Sequence, residues 1–533
     1  MSSKPLRTPQ LGPPVLARFA QTQWTGLIVT LLYVFSGAIY IIFFGFDLSH
    51  YDEFTYAAMA ADFARLFVPE PFFYGQDYGF PADAWLAAPL VAAHLSDALT
   101  AVKITAYGLF VVPFALAGFI AYRRNQPIIA FAIWLLPFLS MMFFVIAPMP
   151  RGFNQGAALA ALVGILFVSR PKAGLAERLC YSVCFALTFA INPSAAIVIA
   201  PVLALALKDV QHYPMRSAVI RIVATWAVFL ILCDLLSTWR DAFFRQHSNF
   251  TYHKLGYSSL VDMITPIDYS SYIFKLHNLS LSLWDGYRPH MVGILALTVF
   301  AIVKLVKKDW QWLSVSIVGV ALIGTLLLSA LNGHAGSERF TSLYGQHVAR
   351  VFTGVPYVLA LLLLLVPAMP PPGFVRRHVV WLAGGVFCVA IVLTVAHVGW
   401  LAPSYNASRP NGPGAPPLRE TLKWCDRLDA MTPPATTLVV TYSPEIAYLC
   451  EAISKAGLRT LYVYERRNYR LQQAADAQFS TLLVKGIPEL CGNGWDDLCS
   501  ISVAGIGDLN RWLIAHGVPI REGRIDLLPA SKQ

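Results

Sequence analysis

Long apolar runs separated by short polar segments fill the chain from its N-terminal region as far as Trp400. A helix needs about 20 apolar residues to cross a bilayer, and about eleven runs reach or approach that length. They fall at about 24–45, 100–122, 127–147, 153–169, 177–191, 194–207, 217–237, 290–306, 312–331, 349–367 and 379–400. The pattern predicts a polytopic α-helical membrane protein with about 11 transmembrane helices. The two short runs beside Asn192 and Pro193 could form one broken hairpin.

Composition agrees with this class. Hydrophobic residues make up 56% of the chain, charged residues 13%, and the mean hydropathy is +0.56. Soluble domains carry about 25% charged residues. The net charge is +10, but the chain lacks the basic patch interleaved with aromatic residues that is typical of a nucleic-acid binder. No nucleic-acid partner is therefore expected. The basic N-terminus precedes an uncleaved first span.

The basic residues predict the orientation. They recur in alternate short loops, on the side of the N-terminus: Arg123, Arg124, Arg170, Lys172, Arg178, Lys208, Arg216, Arg221, Lys304, Lys307, Lys308, Arg376 and Arg377. Positive loops stay cytoplasmic, so we expect a cytoplasmic N-terminus in a plasma membrane, of the bacterial inner type. An odd number of spans then places the C-terminus outside.

Four segments are expected outside: 46–99, 238–289, 332–348 and everything after 400. The first holds seven acids between Phe46 and Asp83, and one arginine. Residues 51–67 are expected to form an amphipathic helix lying on the outer face. Residues 83–96 are expected to form a half-buried helix too short to cross the membrane.

The chain becomes more polar towards its C-terminus. A membrane domain, 1–403, is followed by the Pro- and Gly-rich linker 404–417 and by residues 418–533, predicted to be a small extracytoplasmic α/β domain. Its expected strands are 436–442, 459–465 and 479–486. No glycine-rich nucleotide loop follows them. Its four cysteines suggest two disulfides, with the close pair Cys491–Cys499 favoured and Cys425–Cys450 remaining.

Carboxylates directly after the first span suggest chemistry at headgroup depth. Asp52 and Glu53 begin a helix, where the helix dipole stabilises negative charge. A carboxylate there can deprotonate a hydroxyl, and Asp52 with Asp83 could hold a divalent metal such as Mg²⁺ or Mn²⁺. The simpler interpretation is a solvated acidic loop that keeps the segment outside.

Three motifs carry a family resemblance. The stretch HYDEFTYAAMAADF (50–63) resembles the first outer loop of GT-C membrane glycosyltransferases, such as protein O-mannosyltransferases and lipid A aminoarabinose transferases. FFYGQDYGFPADAWLAAPL (72–90) is similar to the second half of that loop in bacterial members, and FAINPSAAIVIAPVLAL (189–205) has a similar Asn-Pro break. Two departures concern Asp83, where these members more often have Glu. It is followed by Ala84 and Trp85, whereas the aminoarabinose transferases have Lys-Pro-Pro, which can reach phosphate.

The resemblance implies transfer of a sugar from a polyprenyl-phosphate donor to a glycan, lipid or protein acceptor on the outer face, with inversion. It makes Asp52 the general base, and Glu53 and Asp83 the groups that orient the acceptor or a metal. The expected sugar-binding and phosphate-binding residues lie in the outer segments: Tyr74, Gln76, Asp77, Tyr78, Arg151, Arg288, Arg339, His347 and Arg350.

Three other functions stay open. A transporter or flippase of lipid-linked glycans predicts internal repeats and ionisable residues midway through spans. A polysaccharide polymerase or ligase predicts a large Arg- and His-rich outer loop late in the chain. If the chain is a non-catalytic membrane scaffold, substitution of Asp52 should not affect its function.

Overall fold

The structure is a computed structural model. It describes residues 51–74, 79–140, 143–144, 147–170, 174–247, 269–331, 352–368, short stretches between 378 and 396, 418–430, 437–441, 443, 446–455, 457–462, 481–485 and 498–502. The helices that precede the linker are α1 (Tyr51–Ala64), α2 (Ala82–Ala92), α3 (Ala98–Arg123), α4 (Pro127–Leu135), α5 (Gly152–Ser169), α6 (Leu175–Ile191), α7 (Ala196–Ala204), α8 (Asp209–His212), α9 (Met215–His247), α10 (Tyr269–Val306), α11 (Leu313–Leu331) and α12 (Gly354–Leu365).

Five helical segments among the described residues are long and apolar enough to cross a membrane. They are Ala98–Arg123, Pro193–Gln211, Met215–Arg240, Gly286–Val306 and Trp310–Leu327. Five shorter apolar helices accompany them: Ala82–Ala92, Pro127–Phe138, Asn154–Ser169, Gly354–Leu365 and Gly384–Leu393. The helical membrane class is therefore confirmed, while the count of eleven stays a prediction. The first apolar run, 24–45, lies outside the described residues.

Two expected segments differ in the structure. The run at 127–147 is not one continuous helix, because α4 ends at Leu135 and a 3₁₀ turn containing Pro137 follows. Proline lacks the N–H that a continuing helix needs. The segment 238–289, expected as an outer loop, is helical at both ends, since α9 extends to His247 and α10 begins at Tyr269. A kink at Tyr287, two residues before Pro289, separates the first part of α10 from the span.

The Asn-Pro break separates two helices with different neighbours. Asn192 has an extended backbone, and its side-chain oxygen accepts a hydrogen bond from the Ser194 N–H at 3.0 Å, which caps the following 3₁₀ turn. Helix α6 packs against α5 and α9, whereas α7 packs against α5 and α11. The expected broken hairpin is therefore wrong: the break lets the chain change partners within the bundle.

Arginines from separate basic loops meet at one end of the bundle. Arg178 Nη2 lies 2.5 Å from Asp209 Oδ1, and Arg221 Nε lies 3.1 Å from Asp209 Oδ2. The Asp209 side chain is 1% exposed. This carboxylate joins the beginnings of α6, α8 and α9, as expected if the two loops share one side of the membrane.

The C-terminal part contains a four-stranded sheet. After helix α13 (Leu418–Ala430) come β1 (Thr437–Thr441), a π-helical turn (Ile446–Cys450), α14 (Glu451–Ile453), β2 (Thr460–Tyr462), β3 (Thr481–Lys485) and β4 (Leu498–Ser502). The strand order is β2-β1-β3-β4, with β1 parallel to β2 and β3, and β4 antiparallel to β3. The three expected strands are confirmed, and β4 is a further strand that the sequence pattern did not indicate.

Candidate functional site

Helix α1 is buried on two faces. On one face Tyr56, Met59 and Phe63 pack against α2 and α3. On the other face, Phe54 and the alanines near it pack against the C-terminal unit, which comprises the described residues between Leu418 and Ser502. The contact is a cluster that includes Cys425, Ile446, Tyr448, Leu449 and Cys450. The expected amphipathic helix is therefore enclosed by protein on both faces, while its position relative to the membrane stays a prediction. Every described side chain from Glu53 to Phe63 is buried, as in a helix enclosed by packing on all sides.

The C-terminal unit is consequently in contact with the first acidic loop. Its π-helical turn and α14 lie against α1, and α14 also touches α3. A disulfide between Cys425 and Cys450 joins α13 to that turn, which confirms one of the two expected pairs. The pair Cys491–Cys499 lies outside the described side chains.

Four of the five acidic side chains that the structure describes in this loop are buried, whereas Asp97, at the end of the loop, is exposed. Glu53, Asp62, Glu70 and Asp83 are each less than 8% exposed. The interpretation as a solvated acidic surface therefore does not hold for these four residues. Buried carboxylates need hydrogen bonds, ion pairs or a bound proton, because burial disfavours the charged form.

Glu53 is paired with a lysine from α3. Its Oε2 lies 3.7 Å from Lys103 Nζ, and the two side chains are 5% and 7% exposed. Lys103 is in the second turn of α3, and no other charged residue follows in this helix before Arg123. The pair links the first turn of α1 to the beginning of α3.

Asp83 is bound by an amide from α5. The Gln155 side-chain N–H donates to Asp83 Oδ2, and the Asp83 backbone N–H donates to Gln155 Oε1 at 3.4 Å. Asp83 is fully buried, its Oδ1 has no hydrogen-bond partner among the described residues, and Glu53 is close enough to act on it electrostatically. Burial raises the pKa of Asp83 well above its usual range, opposed by the Gln155 hydrogen bond, and the charge of Glu53 raises it further.

A narrow crevice begins at Asp83 and continues between α3 and α5. Its polar end also contains Asn154 and Gln155, and its walls are apolar: Ala106, Leu109, Phe110, Ala147, Met149 and Ala158. The crevice is too narrow to admit a water molecule. In this conformation Asp83 is enclosed, so a substrate could reach it only after neighbouring side chains move.

Tyr74 is part of the loop's internal framework. Its hydroxyl donates a hydrogen bond to Asp62 Oδ2 at 2.7 Å, and its side chain is fully buried. Arg65 lies 3.7 Å from the other oxygen of Asp62. As described, Tyr74 holds the loop to α1 and does not face an open cavity where a sugar could bind.

Two of the five expected cations are described, and they are not equivalent. Arg151 is half-buried in extended backbone directly before α5, four residues from Gln155. It therefore lies at the same end of α5 as the Asp83 contact. Arg288 is exposed, with its guanidinium 4.8 Å from the ring centre of Trp284, and no described contact places it beside Asp83.

The remaining candidates are described only in part. The backbone of Asp52 lies in the first turn of α1, next to Glu53, but its side chain is outside the described set. Six others lie wholly outside it: Gln76, Asp77, Tyr78, Arg339, His347 and Arg350. Within the described residues, no three His, Cys, Asp or Glu side chains form a group that could hold a metal ion. The proposed Asp52–Asp83 metal pair therefore stays a prediction.

Sequence reasoning missed Lys103 and Gln155, which bind two of the three acids expected to be catalytic. A lysine inside the apolar run 100–122 was a usable signal, because such a charge needs a partner. Gln155 gave no comparable signal, since amides are common near helix ends.

Comparison with known proteins gave no match to this chain among family models, curated proteins or solved structures.

Proposed function

We propose that this chain is a membrane glycosyltransferase that moves a sugar from a polyprenyl-phosphate donor to an acceptor hydroxyl on the outer face. The observation that carries the proposal is that two buried acids from separate short helices of the first outer loop, Glu53 and Asp83, are close enough to interact electrostatically. Burial of both beside the beginnings of α3 and α5 is unusual for a loop whose acids serve only solubility.

The proposed reaction is a single inverting displacement. Asp52 takes the proton of the acceptor hydroxyl, and the acceptor oxygen attacks the anomeric carbon. The bond between that carbon and the phosphate oxygen breaks, and its electron pair leaves with the polyprenyl phosphate. Cations near the leaving group stabilise the charge that develops on the phosphate.

Within this proposal, the described residues have separate tasks. Glu53, held by Lys103, fixes the first turn of α1, where the backbone of Asp52 lies. Of the two described cations, we assign Arg151 to the donor phosphate, because it directly precedes the positive end of α5. Arg288, Arg339, His347 and Arg350 remain proposed phosphate partners, and Gln76, Asp77 and Tyr78 remain proposed sugar ligands.

The described surroundings of Asp83 do not fit a divalent metal. Its carboxylate is enclosed, its described polar neighbours in the crevice are amides, and the space beside it cannot hold the waters that Mg²⁺ retains. The proposed displacement therefore includes no step through a metal.

The test uses the full chain in lipid nanodiscs with a panel of synthetic short polyprenyl-phosphate sugars. Release of polyprenyl phosphate is measured by mass spectrometry, with and without simple glycoside and lipid acceptors. The wild-type chain should release it, and Asp52→Asn should lower the rate by about 100-fold or more, as loss of a general base does.

Asp97→Asn is the matched control. Asp97 is an exposed acid of the same loop that caps α3 through Thr100, and asparagine caps helices about as well. Its rate should match the wild type. Movement of intact donor across the bilayer with no cleavage would instead support the flippase, and equal rates for Asp52→Asn and wild type would exclude the catalytic role.

A further inference from the structure

Lys103 is an unusual residue for its position. It lies in the second turn of α3, which has no other charged residue from Ala98 to Tyr122, and its side chain is 7% exposed. Removing an ammonium from water is costly unless an opposite charge compensates it. A lysine kept at such a place therefore implies a task that an apolar residue could not perform.

One carboxylate, that of Glu53, is paired with this ammonium, and a second, that of Asp83, lies near Glu53. Glu53 Oε2 lies 3.7 Å from Lys103 Nζ, and Asp83 is close enough to Glu53 to sense its charge. Asp83 has its own partner in Gln155. The ion pair thus belongs to Glu53, while Asp83 is held separately by an uncharged amide.

The pair acts on the beginning of α1. Glu53 is the third residue of that helix, and Asp52 is the second. Successive residues of a helix are related by a fixed rotation of about 100°. Holding Glu53 against α3 therefore also fixes the rotation of α1 about its own axis at the position of Asp52.

We infer that Lys103 is a positioning residue of the proposed transferase, which acts through Glu53 to hold the catalytic end of α1. The inference rests on the proposed function. It adds a residue outside the loop motifs and makes the transfer reaction depend on a charge within the membrane bundle.

The control for a merely structural effect is a second buried ion pair. Arg178 and Asp209 are as buried as Lys103 and Glu53 and lie at the end of the bundle formed by the beginnings of α6, α8 and α9. Lys103→Met and Arg178→Met each leave one buried carboxylate short of a cation. Both should reduce the folded fraction, measured by size-exclusion chromatography of the detergent-solubilised chain.

The experiment measures polyprenyl-phosphate release per folded molecule for wild type, Lys103→Met, Lys103→Arg, Glu53→Gln, the double variant Lys103→Met/Glu53→Gln, and Arg178→Met. Lys103→Met should lower the rate about 100-fold, because misplacement of a reacting group by about 1 Å has effects of that size. Lys103→Arg should recover most of it. The double variant should be no slower than Glu53→Gln alone, since Lys103 acts through Glu53.

The failures are distinguishable. If the wild type releases no polyprenyl phosphate from any donor, the proposed function falls and the inference falls with it. If the wild type is active but Lys103→Met matches Arg178→Met per folded molecule, Lys103 is only structural. If the losses of the two single variants multiply in the double variant, Lys103 does not act through Glu53, and the inference is overturned.

Discussion

Gly79 lies directly against the carbonyl oxygen of Ala190, so closely that a β-carbon on Gly79 would overlap it. The second obstacle at this place is the carbonyl oxygen of Ile191, which is also backbone and cannot swing away. This contact seats the loop before α2 on the last turn of α6. It brings the acidic loop and the Asn-Pro break to the same end of the bundle.

Gly79→Ala should therefore destabilise the protein by about 1–3 kcal/mol, the usual cost of overpacking. Thermal unfolding in detergent measures it. Gly108→Ala is the control, because a β-carbon on Gly108 meets no atom within 4 Å and alanine favours the helix. An unchanged melting temperature for Gly79→Ala would show that the loop is not seated on α6.

Tyr74→Phe tests the framework of the loop. The substitution removes the hydrogen bond to the buried carboxylate of Asp62 and should cost about 1–3 kcal/mol. Tyr122 provides the comparison, since its buried hydroxyl has no hydrogen-bond partner among the described residues. Tyr122→Phe should be neutral or slightly stabilising in the same unfolding measurement. Equal effects of the two substitutions would contradict the Tyr74–Asp62 bond.

Asp83→Asn tests the protonation of that buried acid. The raised pKa means that the folded state binds a proton that the unfolded state releases, so stability falls as pH rises from the unfolded pKa of about 3.9 towards the folded value. Asparagine cannot ionise. The variant should therefore lose this pH dependence and be more stable than wild type at alkaline pH, measured by thermal unfolding between pH 5 and pH 9.

Asp209→Asn is the contrasting substitution. It leaves Arg178 and Arg221 buried without their carboxylate and should cost about 3–5 kcal/mol across that pH range. The same chemical change thus has opposite effects at the two sites. Destabilisation by Asp83→Asn at every pH would show that Asp83 is ionised in the fold.

Cys425→Ser/Cys450→Ser tests the contact between the C-terminal unit and α1. Both cysteines are buried in the cluster that covers α1, and their disulfide closes a loop of about 25 residues, which predicts a loss of about 3 kcal/mol. Limited proteolysis should then cut near the beginning of α1 as well as in the C-terminal unit.

Cys388→Ser, at an exposed free cysteine, is the control and should leave the cleavage pattern unchanged. Cuts restricted to the C-terminal unit would show that α1 keeps its place without it.

The sequence by itself determined the class and most of the local structure. Apolar runs such as 100–122 and 217–237 are recovered as the helices α3 and α9, and three strands of the sheet follow their β-branched runs. These features depend on neighbours along the chain, which the hydrophobic period records. The turn at Asn192 was readable for the same reason, because proline and a capping side chain act locally.

Only the tertiary structure decided which acids are buried and what binds them. Lys103 is far from Glu53 along the chain, as Gln155 is from Asp83, and no pattern in one sequence pairs residues that are so widely separated. The sequence pattern of α1 suggested a surface helix because the C-terminal unit, which covers one of its faces, begins only at Leu418, far along the chain. Burial is a property of the packed fold, so the charge environment of the candidate site could not be deduced from local sequence alone.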